Sequence, residues 1–375
     1  MVAVFWVCAA LMVYIYAGYP LLARSLSGLL DRRVHRAPLT TTLTVVVTAY
    51  NEEKSIEAKL DNLMALNYPQ ELMKVLVVSD ASDDATDEIV RRYPNPRVEL
   101  LRVEGRKGKT ACQNVAVSQV NSELIVFTDA TTEIEPGAVA AMVENFADRE
   151  VGCVSGRLIY FDAHDSLTGS AGTAYWEYEL GLREAETRLG SIVGVSGCFY
   201  AVRRSAYRDM EPVLISDFVI ALVMRDQKLR TVLDSRAVCR EETLEKPGRE
   251  LGMRVRVALR SITALYIERR FLNPLSFGMF ALQLWSHKLL RYASPLIWIA
   301  LLLSSVLLSR HWFYASALGA QLVLIVLGLL AWPLHGRGSR LLSKPYYFLL
   351  TNLASLIAIL RFFRGDRVAV WSTVR

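Results

Sequence analysis

Three stretches of this chain constrain its fold more than anything else in it. Val2 to Ala23, Tyr292 to Leu308 and Trp312 to Leu334 carry no Asp, Glu, Lys or Arg. Each is close to the length of about 20 apolar residues that lets a helix cross the hydrocarbon core of a bilayer. A chain with three such segments folds partly against lipid, which accounts for a composition that is 53% hydrophobic. The first stretch lacks the basic start and small-residue cleavage site of a signal peptide, so it reads as a retained anchor.

Basic residues orient these segments, because Lys and Arg in short flanking loops stay on the cytoplasmic side. Arg24, Arg32, Arg33 and Arg36 follow the first stretch and place the middle of the chain in the cytosol. His287, Lys288 and Arg291 precede the second stretch, and Arg337, Arg340 and Lys344 follow the third, in agreement. A shorter uncharged run, Pro345 to Leu360, is followed by Arg361, Arg364, Arg367 and Arg375. Those cations also belong inside, which fits three full spans with this fourth segment interfacial or re-entrant. Pro274 to Leu290 carries Gln283, Trp285, His287 and Lys288 and reads as a helix lying in the interface, with Trp285 at headgroup depth and the cations on the wet side. The expected organisation is a transmembrane helix at 1–24, an α/β domain at 38–270, an interface helix at 274–291, transmembrane and interfacial helices at 292–363, and a basic tail at 364–375. That makes an integral protein of the cytoplasmic (inner) membrane with its α/β domain in the cytosol.

The net charge of +6 is mostly accounted for by arginines beside the apolar segments, which face anionic lipid. Membrane lipids are therefore expected partners, and nucleic acid is not implied. Cys8, Cys112, Cys153, Cys198 and Cys239 are widely spaced with no Cys-x-x-Cys pair, as expected of reduced thiols rather than a zinc site.

Between Arg36 and about Arg270 strands alternate with helices. Leu43–Thr48 and Val75–Val78 read as strands, with Ile56, Leu60 and Leu63 at helical spacing between them. A helical stretch around Glu88 leads to a strand at Val98–Val103. A helix at Thr110–Val120 then precedes the strand that ends at Asp129. Repeats of this kind imply a mostly parallel sheet with helices on both faces. After Asp165 helices dominate, interrupted by a strand-like Ser191–Val202.

Carboxylates stand where these strands end or helices begin: "VTAYNEEKS", "VVSDASDDATDE", "FTDATT" and "LISDFVIALVM". The carboxyl ends of parallel strands converge in space and are where α/β sheets hold ligands. Acids of this kind beside a basic loop, "EGRKGKTACQN", suit a nucleotide diphosphate with a divalent ion: oxygens hold the metal and cations hold the phosphates. The loop is not a Walker phosphate loop, since the pattern demands Gly at the position of Val103.

The ordered set Ala49-Tyr50-Asn51-Glu52, Ser79-Asp80-Ala81-Ser82-Asp83, Gly108-Lys109, Thr128-Asp129-Ala130, Ser196-Gly197 with Arg203-Arg204, and Ser216-Asp217 resembles the membrane-embedded inverting glycosyltransferases of family 2. The synthases of cellulose, chitin, hyaluronan and poly-N-acetylglucosamine belong to that family. The resemblance extends over almost the whole chain. It implies a GT-A fold, a Rossmann-like α/β domain joined to α-helical transmembrane segments, and a nucleotide-sugar donor, a UDP-sugar by preference. It also implies a glycan or lipid-linked acceptor, and leaves an oligomer or separate export partner open. In that frame Tyr50 and Glu52 border the base and ribose, Asp80 binds uracil, Lys109 contacts the nucleotide, and Asp129 holds Mg²⁺ or Mn²⁺. Asp217 is the general base. Arg256, with Arg254 and Arg260, neutralises the departing diphosphate.

The chain departs from the family at two places. Asp129-Ala130-Thr131 replaces Asp-x-Asp, so one metal-binding acid is a hydroxyl. In "GMRVRVALRSI" the Gln and Trp of the synthases' Gln-Arg-x-Arg-Trp are Met253 and Val257, and Val257 cannot stack under an acceptor sugar as Trp does. The function implied is transfer from a nucleotide sugar to a growing surface polysaccharide or lipid-linked glycan. The alternatives are single-sugar transfer to polyprenyl phosphate, and a degenerate assembly subunit of an export system.

Overall fold

The computed structural model describes residues 1–161, 167–242, 247–332 and 340–367. Arg337, Arg375 and the rest of the tail beyond residue 367 lie outside the described residues, as does the side chain of Arg249. The described residues form two compact units, 30–159 with 183–241, and 1–29 with 160–182 and 242–367.

The first unit is built on a mixed eight-stranded sheet. Its strands are β1 (Leu43–Ala49), β2 (Met73–Ser79), β3 (Val98–Arg102), β4 (Leu124–Asp129), β5 (Glu133–Ile134), β6 (Val151–Phe161), β7 (Phe199–Arg203) and β8 (Arg230–Glu242). They lie in the order β3-β2-β1-β4-β7-β6-β8-β5. The half β3-β2-β1-β4 is parallel, with Val46 beside Leu76 and Phe127 in register. β7 then pairs antiparallel to both β4 and β6, so the mostly parallel sheet of the sequence reading holds for one half only. β1 and β4 are apolar almost throughout and buried at nearly every position, as expected of strands covered on both faces. The strand-like Ser191–Val202 becomes strand only at Phe199. Before it the chain is buried and irregular, with Ile192 N–H bonded to Thr231 O at 2.8 Å and Ser196 N–H to Ser155 Oγ at 2.9 Å. Phe127, with no exposed surface, packs its ring 5.0 Å from Tyr200 and 5.9 Å from Tyr207.

The second unit holds four helices long and apolar enough to cross a membrane by length and composition: Val2–Leu30, Met279–Leu307, Trp312–Ala331 and Leu342–Phe363. The last was expected to be interfacial. Its helix extends through Arg340–Phe363, so it reaches spanning length by continuing through charged residues at both ends of the uncharged run. The expected interface helix at 274–291 is also different. Pro274–Phe277 is a short helix closed by Gly278 at φ 54°. From Met279 the chain runs without a break to Leu307 through a π turn at Trp285–Leu289. His287 is buried against Glu179 at 2.9 Å rather than in water, and Arg291 holds the other oxygen of Glu179 at 2.8 Å. The helix Pro247–Ile267 belongs to this unit and not to the α/β domain, because Val255, Ala258, Leu259, Ala264 and Leu265 give it a buried apolar face. It packs along Arg340–Phe363, where Leu251 joins Ala331, Tyr346 and Leu350.

Phe127 fixes the junction of the parallel and antiparallel halves. Phe127→Ala is expected to destabilise the protein by about 3–5 kcal/mol, read as a lowered melting temperature of the detergent-purified chain. A change within error would mean that the aromatic cluster is not a keystone of the sheet.

Candidate active site

The turns that leave β1 and β2 are laced together. Asn51 N–H bonds Ser82 Oγ at 3.2 Å, Asp83 N–H bonds Asn51 Oδ1 at 3.0 Å, Glu52 N–H bonds Thr86 Oγ1 at 2.8 Å, and Glu53 N–H bonds Asp84 Oδ2 at 3.1 Å. The Asp83 amide and the Asp84 carboxylate thus brace the two turns against each other. Asn51 and Ala81 have φ of 53° and 58°, and a left-handed alanine costs roughly 1–2 kcal/mol. Backbone held in sparsely populated conformations by its surroundings is a mark of functional sites.

Asp80, at the end of β2, has no exposed surface. Its carboxylate accepts the amides of Lys107 at 2.7 Å and Gly108 at 3.1 Å, with Arg106 Nε at 3.3 Å. Gly108 has φ 91° and leads directly into the helix Lys109–Gln119, a conformation that favours glycine. Arg106 lies 3.2 Å over the ring centroid of Tyr50. Asp80 therefore shapes the basic loop from inside it. Glu52 accepts the Ser55 hydroxyl at 2.6 Å beside this loop's neighbour turn.

The loop delivers Lys109 to the centre. Its ammonium donates to Asp129 Oδ1 and to Gly197 O at 3.0 Å. Burial works to lower the Lys109 pKa, but Asp129, with a further contribution from Asp217, outweighs it and holds the group above its ordinary value. Gly197 lies against Asp217: a Cβ there would sit 2.7 Å from Asp217 Oδ2. Asp217 stands in the first turn of the helix Ser216–Asp226, whose positive end favours an ionised carboxylate. Thr110 Oγ1 donates to Leu214 O at 2.7 Å, tying the loop to the segment before that helix. Asp129, Lys109, Gly197 and Asp217 form one continuous contact chain at the ends of β4, the basic loop and the helix.

Two residues that sequence reasoning missed complete the site. Lys59 is buried on the helix Ile56–Met64, donating to Thr128 Oγ1 at 3.0 Å and to Thr132 O. Its place between Ile56 and Leu63, adjacent to Leu60, put it on the apolar face, a signal that was visible. Burial lowers its pKa to about 8 against the opposing pull of nearby Cys239 and Asp129. Glu241, near the end of β8, accepts the Thr131 hydroxyl at 3.3 Å, bringing a carboxylate to the position where the motif lacks one. Among the described residues no three His, Cys, Asp or Glu side chains group closely enough to hold a metal by themselves. The donors present are hard oxygens, which fit Mg²⁺ or Mn²⁺ when a ligand supplies the remaining positions. All five cysteines are free, and Cys198 and Cys239 lie 4.0 Å apart. The hydrogen bond to Cys239 and burial push the Cys198 thiol well up, so it is not a nucleophile.

The three arginines belong to the other unit. Arg254 is bonded to Glu250 at 2.7 Å and lies 4.4 Å over the ring of Tyr347. Arg260 is buried, and Arg256 is half-buried with no hydrogen-bond or ion-pair partner among the described residues. Burial lowers the Arg256 pKa. Arg203 donates to Val151 O at 2.8 Å and Asp148 O at 3.0 Å and is structural.

Residues 44–210 match the model of glycosyl transferase family 2. The chain carries a family 2 glycosyltransferase domain. It is 25% identical over 265 residues to the poly-beta-1,6-N-acetyl-D-glucosamine synthase of Staphylococcus aureus (strain COL), a match covering 67% of this chain and 64% of that one. The Staphylococcus epidermidis synthase of the same description is 25% identical over 171 residues, 45% of this chain and 41% of its own. The chain thus spans less than two thirds of the length of these relatives. A mannosyltransferase from Pyrobaculum calidifontis, solved in complex with GDP-Man and Mn²⁺, matches 97% of this chain and 99% of its own with TM-score 0.74 at 21% identity. The fold is GT-A, followed by apolar helices.

Lys59 supplies a test of this geometry. With the folded pKa near 8 and the unfolded value at 10.5, the unfolded chain binds more protons between those pH values, so stability rises with pH across that window. The burial penalty is fully present below about pH 8 and released by about 10.5, worth on the order of 3 kcal/mol. Melting of wild type and Lys59→Met from pH 7.5 to 10.5 should show the slope in wild type relative to the variant. Parallel curves would mean that Lys59 is not buried as a strained cation.

Proposed function

We propose that this protein is a membrane-bound inverting glycosyltransferase that moves a sugar from a nucleotide-sugar donor to a glycan or lipid-linked acceptor at the membrane surface. The reading rests above all on the contact chain Asp129–Lys109–Gly197–Asp217, which lines up an acid, a cation and a second acid at the ends of a GT-A sheet. The relatives are named for a polymer of N-acetylglucosamine and the structural neighbour was solved with GDP-Man, so UDP- and GDP-sugars are the donors to test first.

In the proposed reaction Asp217 accepts the proton of the acceptor hydroxyl. That oxygen forms its bond to the anomeric carbon from the face opposite the diphosphate. The bond from carbon to diphosphate oxygen breaks, the nucleoside diphosphate leaves, and the configuration inverts. A base must be ionised before it can act, and the helix start and the nearby Lys109 favour that form. Lys109 moves its donor hydrogen bonds from Asp129 to the phosphates as the donor enters, since an ammonium serves phosphate well as a point charge. Asp129, with Glu241 close by, would hold Mg²⁺ or Mn²⁺, which would supply positive charge against the diphosphate. Single transfer to the hydroxyl of a lipid-linked glycan is favoured over processive synthesis by Val257, an exposed aliphatic side chain on the helix Pro247–Ile267. That position offers no stacking platform for a sugar chain.

Release of nucleoside diphosphate by the purified chain is to be measured across UDP-, GDP- and dTDP-sugars with Mn²⁺, Mg²⁺ or EDTA, and with cell membranes added as acceptor source. One donor should be turned over with either ion and not with EDTA. Asp217→Asn should lower release by about 10²–10⁴-fold while donor binding persists. No release from any donor with membranes present, or full activity in Asp217→Asn, defeats the proposal. A labelled product that extracts into organic solvent and never lengthens supports single transfer.

Gly197→Ala provides a second, steric check. Its methyl group would force the Asp217 carboxylate away by contact at 2.7 Å, and misplacement by about an ångström costs on the order of 10²-fold. Turnover should fall with KM for the donor little changed. Unaltered turnover would show that Asp217 need not stand where it does.

A further inference from the structure

The α/β unit carries a cavity of about 480 Å³ walled by Arg32, Arg33, Arg36 and Arg188, with Glu184 and Ser235 also lining it. Four arginines and a single carboxylate-bearing residue, Glu184, line it. Such a wall is held open by its own scaffold. Buried Arg230 donates to the carbonyls of Arg32 at 2.8 Å and Gly190 at 2.7 Å, and Arg32 N–H bonds Arg188 O at 2.9 Å. These bonds fix the extended segment after the first apolar helix against the end of the helix Leu167–Leu189. The backbone of both arginine-bearing segments is therefore set before any ligand arrives.

The charges are unevenly compensated. Arg36 is paired to buried Asp234 at 3.5 Å, Arg32 to Glu150 at 2.8 Å, and Arg33 to its neighbour Asp31 at 2.7 Å. The guanidinium of Arg188 has no hydrogen-bond or ion-pair partner among the described residues, although Glu184 lies four residues before it on the same helix. Exposed pairs such as Arg33 with Asp31 are worth only about 0–1 kcal/mol, so a stronger acceptor displaces them readily. A planar guanidinium fork matches phosphate oxygens two at a time. The volume falls within the range of about 300–1,000 Å³ common to small-molecule sites, more than one phosphate ion fills.

We propose that this arginine-walled cavity binds a phosphate group carried on a larger molecule, at a place separate from the Asp129–Asp217 site. Arg32 follows the helix Val2–Leu30, a candidate span, by two residues, a chain distance of roughly 7 Å. Phosphates of a lipid headgroup are therefore within reach, and a soluble phosphorylated compound shares the same chemistry.

The test uses the full chain purified in detergent, wild type against Arg33→Ala/Arg188→Ala, neither residue belonging to the proposed catalytic site. In one arm, native mass spectrometry counts phosphatidylglycerol retained after addition. In the other, calorimetry at low ionic strength measures inorganic pyrophosphate. Wild type should bind in at least one arm, with affinity reduced ten-fold or more in the double variant: loss in the lipid arm alone identifies a headgroup, and loss in the pyrophosphate arm alone a soluble phosphate. Binding in neither arm, or equal binding by wild type and variant, overturns the proposal. If the double variant loses its melting transition, Arg188→Gln is measured in its place, with the same outcomes read from the same arms.

Discussion

The site depends on where the Lys109 ammonium sits. It touches both the end of β4, through Asp129, and the approach to the helix Ser216–Asp226, through Gly197. Without a cation there, two carboxylates would face each other across a partly buried space, and like charges so placed disfavour joint ionisation. Lys109 in turn depends on Asp80, which uses a fully buried carboxylate to gather the amides of Lys107 and Gly108 and so aims the helix that starts at Lys109. A buried carboxylate is costly unless hydrogen-bonded. Here it is satisfied by the loop it organises, so the acid and the loop stabilise one another.

Much of this was legible in the sequence because parallel strands buried on both faces read as continuous apolar runs. β1, β2 and β4 end within a residue or two of where those runs end, and their terminal carboxylates fall on one side because the strands share a direction and register. β6 and β8 were not legible. β8 buries its first five positions, the polar Arg230, Thr231 and Asp234 among them, and it is long-range pairing in the sheet, not local pattern, that makes it a strand. Glu241 inherits that difficulty: nothing in its neighbours says it returns to Thr131. Lys59 was legible in principle, since a lysine on the apolar face of an amphipathic helix must either snorkel or find buried acceptors, and it finds Thr128 and Thr132.

The apolar unit shows why uncharged length alone misjudged two segments. Runs were delimited by charges, yet helices continue through charged residues when partners are built in. Glu179 accepts from His287 and Arg291, which lets a helix bearing both side chains run on from Met279. A π turn at Trp285–Leu289 and another at Tyr14–Gly18 adjust the facing register, and Tyr14 meets Ser286 at 2.8 Å. Such turns insert a residue locally and are frequent at functional positions. Polar groups inside apolar helices are tolerated when each has a partner, as Ser294 has in Asn352 at 2.8 Å.

The replacement of the second motif acid by Thr131 follows a consistent logic once the neighbouring charges are counted. Lys59 lies buried under this end of β4, and Lys109 already occupies one oxygen of Asp129. A second aspartate would add a charge that Lys109 alone could not balance without a metal, whereas Thr131 is neutral and satisfied by Glu241. With Glu241 counted, three carboxylates stand against the two lysines, and an aspartate at position 131 would add a fourth. A divalent ion entering alone would have to displace Lys109 from its partner and would find few fixed oxygens. Arriving with a diphosphate, it brings both the missing oxygens and a new acceptor for the displaced ammonium. Ion and donor are therefore expected to bind as one unit in the proposed reaction, and the unusual motif favours that coupling over independent metal affinity.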